Sequence, residues 1–117
     1  MQIVNVTTDQ NLAVEARVAG TFLSRLVGLL NRRELGMGEG LVIKPCNSVH
    51  TCFMRFPIDV VFVDDQYRIV KIIENMQAFR FSPIVKSAAS VVELPAGVVR
   101  ITNTQVGDEV KFSARIM

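Results

Sequence analysis

The positions of apolar and polar residues divide the chain into short strands around one helix. Leu12, Val14, Ala16 and Val18 alternate with Ala13, Glu15, Arg17 and Ala19, the period of a half-buried strand, and residues 2 to 7 are expected to pair with it. At Gly20-Thr21 the period changes. Phe22, Leu23, Leu26, Val27, Leu29 and Leu30 recur at helical spacing, so a helix is expected over residues 21 to 31, with Thr21 as its N-cap. Leu41-Val42-Ile43 is a short apolar run, and Ile58 to Val63 is apolar on both faces, as a central strand requires. A turn at Asp64-Asp65-Gln66 leads to a strand over Tyr67 to Ile73. Residues 75 to 87, carrying Phe79, Arg80, Phe81 and Pro83, follow neither period and read as an irregular excursion. Val91 to Leu94 forms another strand, and Pro95-Ala96-Gly97 opens a short helical or turn segment. In the last strand Val110, Phe112, Ala114 and Ile116 alternate with Lys111, Ser113 and Arg115, which predicts one buried face and one wet face.

The 117 residues suit a single domain with one core, and the pattern predicts an α+β, mainly β class: a compact antiparallel, barrel-like sheet with one principal helix. Half of the residues are hydrophobic and the mean hydropathy is +0.34, so the core is well filled or some apolar surface lines a pocket. The longest apolar stretches, such as Val60 to Val63, fall far short of the ~20 residues of a membrane span. The first residues lack the basic and apolar regions of a secretory signal, from which a cytoplasmic location is expected. The net charge of +2 is too small for the footprint of a nucleic-acid binder. Nine of the thirteen cations are arginine, the residue suited to bidentate grips on carboxylate or phosphate.

Gly36-Met37-Gly38-Glu39-Gly40 is not a phosphate loop, because no Gly-Lys-Ser/Thr follows it, and no cofactor signature is present. On the polar face of the expected helix, Arg25, Gly28 and Arg32 fall at i, i+3 and i+7. A mid-helix glycine costs up to about 1 kcal/mol relative to alanine, which makes Gly28 a candidate for close approach by a ligand or another backbone.

The run His50-Thr51-Cys52-Phe53-Met54-Arg55-Phe56-Pro57-Ile58-Asp59 and its continuation to Asp64 resembles the signature of the domain of unknown function 192 family. Arg25 to Leu30 is similar to the family's helix motif, and Gly40 to Cys46 to the segment that leads into the signature. Glu93-Leu94-Pro95-Ala96-Gly97 and Gly107-Asp108 match two later motifs in order. The likeness runs from about residue 13 to residue 112. It implies a compact, mainly antiparallel, barrel-like β domain with one principal helix and no settled activity. It also hints at partners in pilus or secretion machinery, near whose genes some members are encoded. Cys52 departs from the family pattern, where an aromatic or small residue is more usual, so a role for Cys52 would not be family-wide.

Several constellations carry candidate chemistry. His50, the single histidine, and Asp59 form a candidate general base and orienting carboxylate; the structural alternative is that both satisfy a strand corner. Cys46, His50, Cys52 and Met54 would face one side of an extended segment, a soft-ligand set, but they lack the paired spacing of a zinc site, and no metal is expected. A Cys46–Cys52 disulfide is disfavoured in a reducing compartment. Glu93 interrupts an apolar strand and either faces solvent or shares a cleft with Asp59, where paired carboxylates would push one pKa upward. The leading expectation is a binding module holding a small ligand or partner segment around the His50 to Asp59 signature, with Arg25, Gly28, Met54, Arg55 and Glu93 in the lining. The alternative is a small hydrolase or transferase with His50 as base, oriented by Asp59, and Cys46 or a water as nucleophile.

Overall fold

The computed structural model of the protein describes residues 1–19, 35–51 and 56–114. They make eight strands, β1 (Gln2–Asn5), β2 (Gln10–Ala13), β3 (Glu15–Ala19), β4 (Glu39–Ile43), β5 (Ile58–Val63), β6 (Ile69–Met76), β7 (Ser90–Pro95) and β8 (Val110–Ser113), and a four-residue helix, Val98–Ile101. The mainly β class is observed, but the strands do not close into a barrel. They form a three-stranded sheet in the order β2-β1-β8 and a five-stranded sheet in the order β3-β4-β7-β5-β6. All pairings are antiparallel except β3 with β4. The helix expected over residues 21 to 31 lies outside the described residues. No described helix is long and apolar enough to cross a membrane.

Three departures from the sequence pattern stand out, and the first explains why the sheet is split. The alternating run from Leu12 to Ala19 is two strands in different sheets. At Val14, which is exposed, the chain leaves the small sheet for the large one, and the amides of Val14 and Glu15 both donate to the Gly38 carbonyl at this corner. The alternation therefore resets: Leu12 and Ala13 are both buried, then Ala16 and Ala19, whereas Val18 is exposed. Strands that switch sheets at corners are a usual way to join two stacked layers. The last strand also ends early. Val110 is buried and Phe112 packs edge-on against Tyr67 at 5.6 Å, but Ala114, expected inside, is exposed. The reason is that among the described strands β8 pairs only with β1, and the ladder runs out at Gln2 opposite Ser113. Ile116 lies outside the described residues. Strand β6 begins two residues later than expected, because Tyr67 has a φ of 63° in a turn that Asp64 Oδ1 closes by accepting from the amides of Gln66 and Arg68.

Each face of the larger sheet has its own core. Between the sheets lie Ile3, Leu12, Ala13, Val42, Val61, Val63, Val92, Leu94 and Val110. On the other face lie Leu41, Ile43, Ile58, Val60, Phe62 and Val91, with Val49, Phe56, Val85 and Ala88 packed against them. Strands β5 and β7 are buried along their whole length, which is why they are largely apolar, interrupted by Asp59 in β5 and by Ser90 and Glu93 in β7. A polar network ties the small sheet to the turn before β8. Asn5, fully buried, donates to Thr104 Oγ1 at 3.0 Å and to Asp108 Oδ2 at 2.9 Å, and Thr102 and Thr104 share a hydrogen bond of 2.7 Å.

Gly40 on β4 sets how closely the sheets approach. A Cβ there would stand 3.0 Å from Ala13 Cβ and 3.3 Å from Leu94 Cδ2, closer than packed carbons sit. Gly40→Val is expected to wedge the layers apart and to cost about 1–3 kcal/mol, read as a lowered urea midpoint with an unchanged denaturant slope.

Candidate functional site

The signature begins just after β4 and does not run alone. The excursion at 75 to 87, irregular by sequence, lies against Thr51 of the signature and against the residues that lead into it, and bonds to them. Cys46 N donates to Ala89 O at 3.1 Å, Val85 N to Asn47 O at 2.8 Å, Ser82 N to Val49 O, Thr51 N to Arg80 O and Phe79 N to Thr51 O, the last three at 2.9 Å. Thr51, which sequence reasoning passed over, is fully buried. Its hydroxyl accepts from the Arg80 amide at 2.9 Å and donates to the Gln77 carbonyl. The only signal for it was its place inside the signature.

His50 follows from this pairing. It is bridged to Phe81 across the two segments, half-buried, with its ring 5.9 Å from that of Phe81 at an interplanar angle of 45°. Cys46 is buried, and its thiol donates to Ser48 O at 3.0 Å. A cleft of about 270 Å³ opens beside it, lined by Pro45, Cys46, Asn47, Ala88 and Ala89. Among the described residues no three His, Cys, Asp or Glu side chains are grouped to hold a metal ion. Arg25, Gly28, Cys52, Met54 and Arg55 lie outside the described residues.

Asp59 is on β5 and has no exposed surface. Its Oδ1 accepts from Asn75 N at 2.9 Å, and its Oδ2 accepts from Gly97 N at 3.1 Å and from Val99 N at 2.9 Å. The carboxylate thus joins the end of β6 to the entry of the short helix, where Asn75 and Gly97 both have positive φ, 53° and 100°. All three donors are backbone amides. The imidazole of His50 is not among them.

Glu93, on the neighbouring strand β7, has the opposite environment. Register places it beside Leu41 and Val60, while Asp59 lies opposite Leu94. Side chains alternate across a sheet, so Asp59 shares a face with Val61 and Val63, in the layer between the sheets, and Glu93 shares a face with Val91 on the other side. The two carboxyls do not share a cleft. Glu93 is 2% exposed, and its Oε1 has no hydrogen-bond partner. Burial pushes its carboxyl up to about 7 from the ordinary 4.5, because an apolar surrounding disfavours the charged form.

Comparison with known proteins places this fold among two-layer β proteins already solved. It superposes with a TM-score of 0.79 on a protein of unknown function from Novosphingobium aromaticivorans, at 21% identity over 95% of this chain and 82% of that one. A protein from Sinorhizobium meliloti gives a TM-score of 0.76, also at 21% identity, over 94% of this chain and 89% of the other. The sequence is 30% identical to a UPF0127 protein of Pyrococcus furiosus, over 97% of this chain and the whole of the relative. The family model DUF192, an uncharacterized ACR, matches residues 4–112, and the chain belongs to that family. The motifs that carry the likeness include the structural clamps: Asp59 in the signature bonds to Gly97 in a later motif, and Asp108 in another holds Asn5.

Two measurements separate the two carboxylates. Asp59→Ala leaves three amides without their acceptor, and a buried unmade hydrogen bond costs about 1–3 kcal/mol, so a large loss of stability in denaturant melts is expected, with Asp59→Asn intermediate. Glu93 acts through pH. Its carboxyl holds a proton in the folded chain up to about pH 7 but releases it near 4.5 once unfolded. The folded state binds the extra proton in between, so the Glu93 contribution to stability is greatest below 4.5 and is lost as pH rises to about 7, amounting to about 3 kcal/mol. In Glu93→Gln that loss should disappear.

Proposed function

We propose that the protein is a binding module whose site lies on the Glu93 face of the larger sheet, beside the signature segment. It accepts a small ligand or partner side chain that carries an amine or guanidinium on an apolar body. The observation that carries this reading is the buried Glu93 Oε1 without a partner. An acid held unpaired in an apolar layer is costly, and a donor brought in by a ligand offsets that cost while Leu41, Ile43, Ile58 and Val60 cover the apolar part. His50, half-buried on the segment that packs over this face, supplies a second polar contact. Gly28 and Met54 are proposed to complete the lining, with Arg25 and Arg55, cations like the ligand, at its margin away from the charged group. The hydrolase alternative needs Asp59 to orient His50, and the Asp59 acceptors are engaged by backbone amides.

A series of linear alkylamines and alkylguanidines tests this by thermal shift and calorimetry. Binding should strengthen by about 0.8 kcal/mol for each added methylene that the ligand buries. Below pH 7, where Glu93 is protonated in the unliganded chain, binding of a cation should release a proton, seen as a dependence of the heat on the buffer. Glu93→Gln should abolish the proton release and weaken the cations. Equal binding by Glu93→Gln, or no stabilisation by any member of the series, defeats the reading.

A further inference from the structure

A second surface, independent of Glu93, is formed by the excursion that pairs with the signature. Phe79, Phe81 and Ile84 are 70%, 76% and 68% exposed, and they project from one loop. Slack in the chain does not explain this, because the same loop is pinned to Asn47, Val49 and Thr51 through the amides of Val85, Ser82 and Phe79. Phe79 adopts a φ of 60°, an unfavourable conformation for a bulky residue, while its ring stays in solvent. Arg80 and Lys86, both exposed, accompany the three apolar side chains, and no acidic residue occurs between Asn75 and Val92.

From this combination we infer that the loop from Phe79 to Lys86 is an adsorption site for an anionic lipid bilayer, with the two phenylalanines and Ile84 entering the interface and Arg80 and Lys86 meeting the headgroups. The shape favours lipid over a folded partner. Neither the cleft at Pro45, Cys46 and Ala88 nor the one at Leu12, Met37 and Val98 takes in Phe79, Phe81 or Ile84; the three stand out as projections. A protein partner would have to supply matching pockets, whereas the headgroup region takes up projecting aromatic side chains without any prior complementarity. A second copy of the chain is disfavoured because a two-fold contact through this loop would set Arg80 and Lys86 against their own copies. The charge matches an anionic leaflet, which attracts basic groups close to its surface.

Co-sedimentation with vesicles tests the assignment. The intact chain should pellet with vesicles made of equal parts phosphatidylcholine and phosphatidylserine at low salt, and not with phosphatidylcholine alone. Replacing both rings, Phe79→Ser with Phe81→Ser, should lower the partition coefficient at least tenfold. Arg80→Gln with Lys86→Gln should lower it about fivefold per charge and remove most of its salt dependence. All four side chains are exposed, so melting temperatures should not change, and the charge pair gives an independent reading if the ring pair folds poorly. Failure of the intact chain to bind the mixed vesicles overturns the inference, as does binding that neither pair weakens. A concentration-dependent dimer in the ultracentrifuge that the ring substitutions abolish would assign the surface to a second copy instead.

Discussion

The Asp59 carboxylate is the interaction on which the most structure converges. It draws the amides of Asn75, Gly97 and Val99 to one point and so fixes where β6 ends, where the chain turns after β7 and how the short helix enters the layer between the sheets. Val98 and Val99 of that helix belong to the intersheet core, so the placement of that core follows from the same anchor. A carboxylate in an apolar layer is tolerable only when its oxygens are bonded. Here three backbone donors meet that condition, and two of the residues at the clamp, Asn75 and Gly97, lie in left-handed backbone conformations that the bonds help to hold.

Glu93 shows what happens when the condition is not met. It lies across the sheet from Asp59 by one register step and one change of face, yet its environment is almost the inverse. No donor reaches Oε1, and the proton itself becomes the compensating partner up to about pH 7. Two acids of similar chemistry on adjacent strands thus differ in role because the pleat sends them to opposite sides. The chain can use one as a fixed joint and leave the other chemically open.

Much of the architecture was legible because burial on both faces leaves a plain trace. Ile58 to Val63 reads as an interior strand and is one; Val91 to Leu94 reads only as a strand, with Glu93 open to face solvent, and it too is buried on both faces. The pattern failed where tertiary partners, not the local period, decide the outcome. Leu12 to Ala19 has an unbroken alternation, but a corner bonded to Gly38 divides it between sheets; Ala114 continues the period of β8 after its partner strand has ended. The pairing of 77 to 89 with residues 46 to 51 is made mainly through backbone groups, which leave no mark in side-chain order. For the candidate site, the unusual polarity of His50, Asp59 and Glu93 in apolar stretches was visible, but not the faces they take. A sheet's alternation assigns faces only once the register is known, so Asp59 and Glu93 were both plausible members of one cleft until the strands were placed.

The position of β1 has a consequence for the order in which the molecule can assemble. It is the middle strand of the small sheet, between β2 and β8, and Asn5 bonds to Asp108, 103 positions away. The neighbouring hairpin with β2 is local and quick to form, but the other edge of β1 stays open, with Ile3 lacking its cover, until β8 has been synthesised. Long-range pairing of this kind slows folding, because a large loop must close before any contact rewards it. The larger sheet can gather around β5, β6 and β7 while the small one waits. On a ribosome, β1, made before the other seven described strands, would be among the last to acquire both of its neighbours.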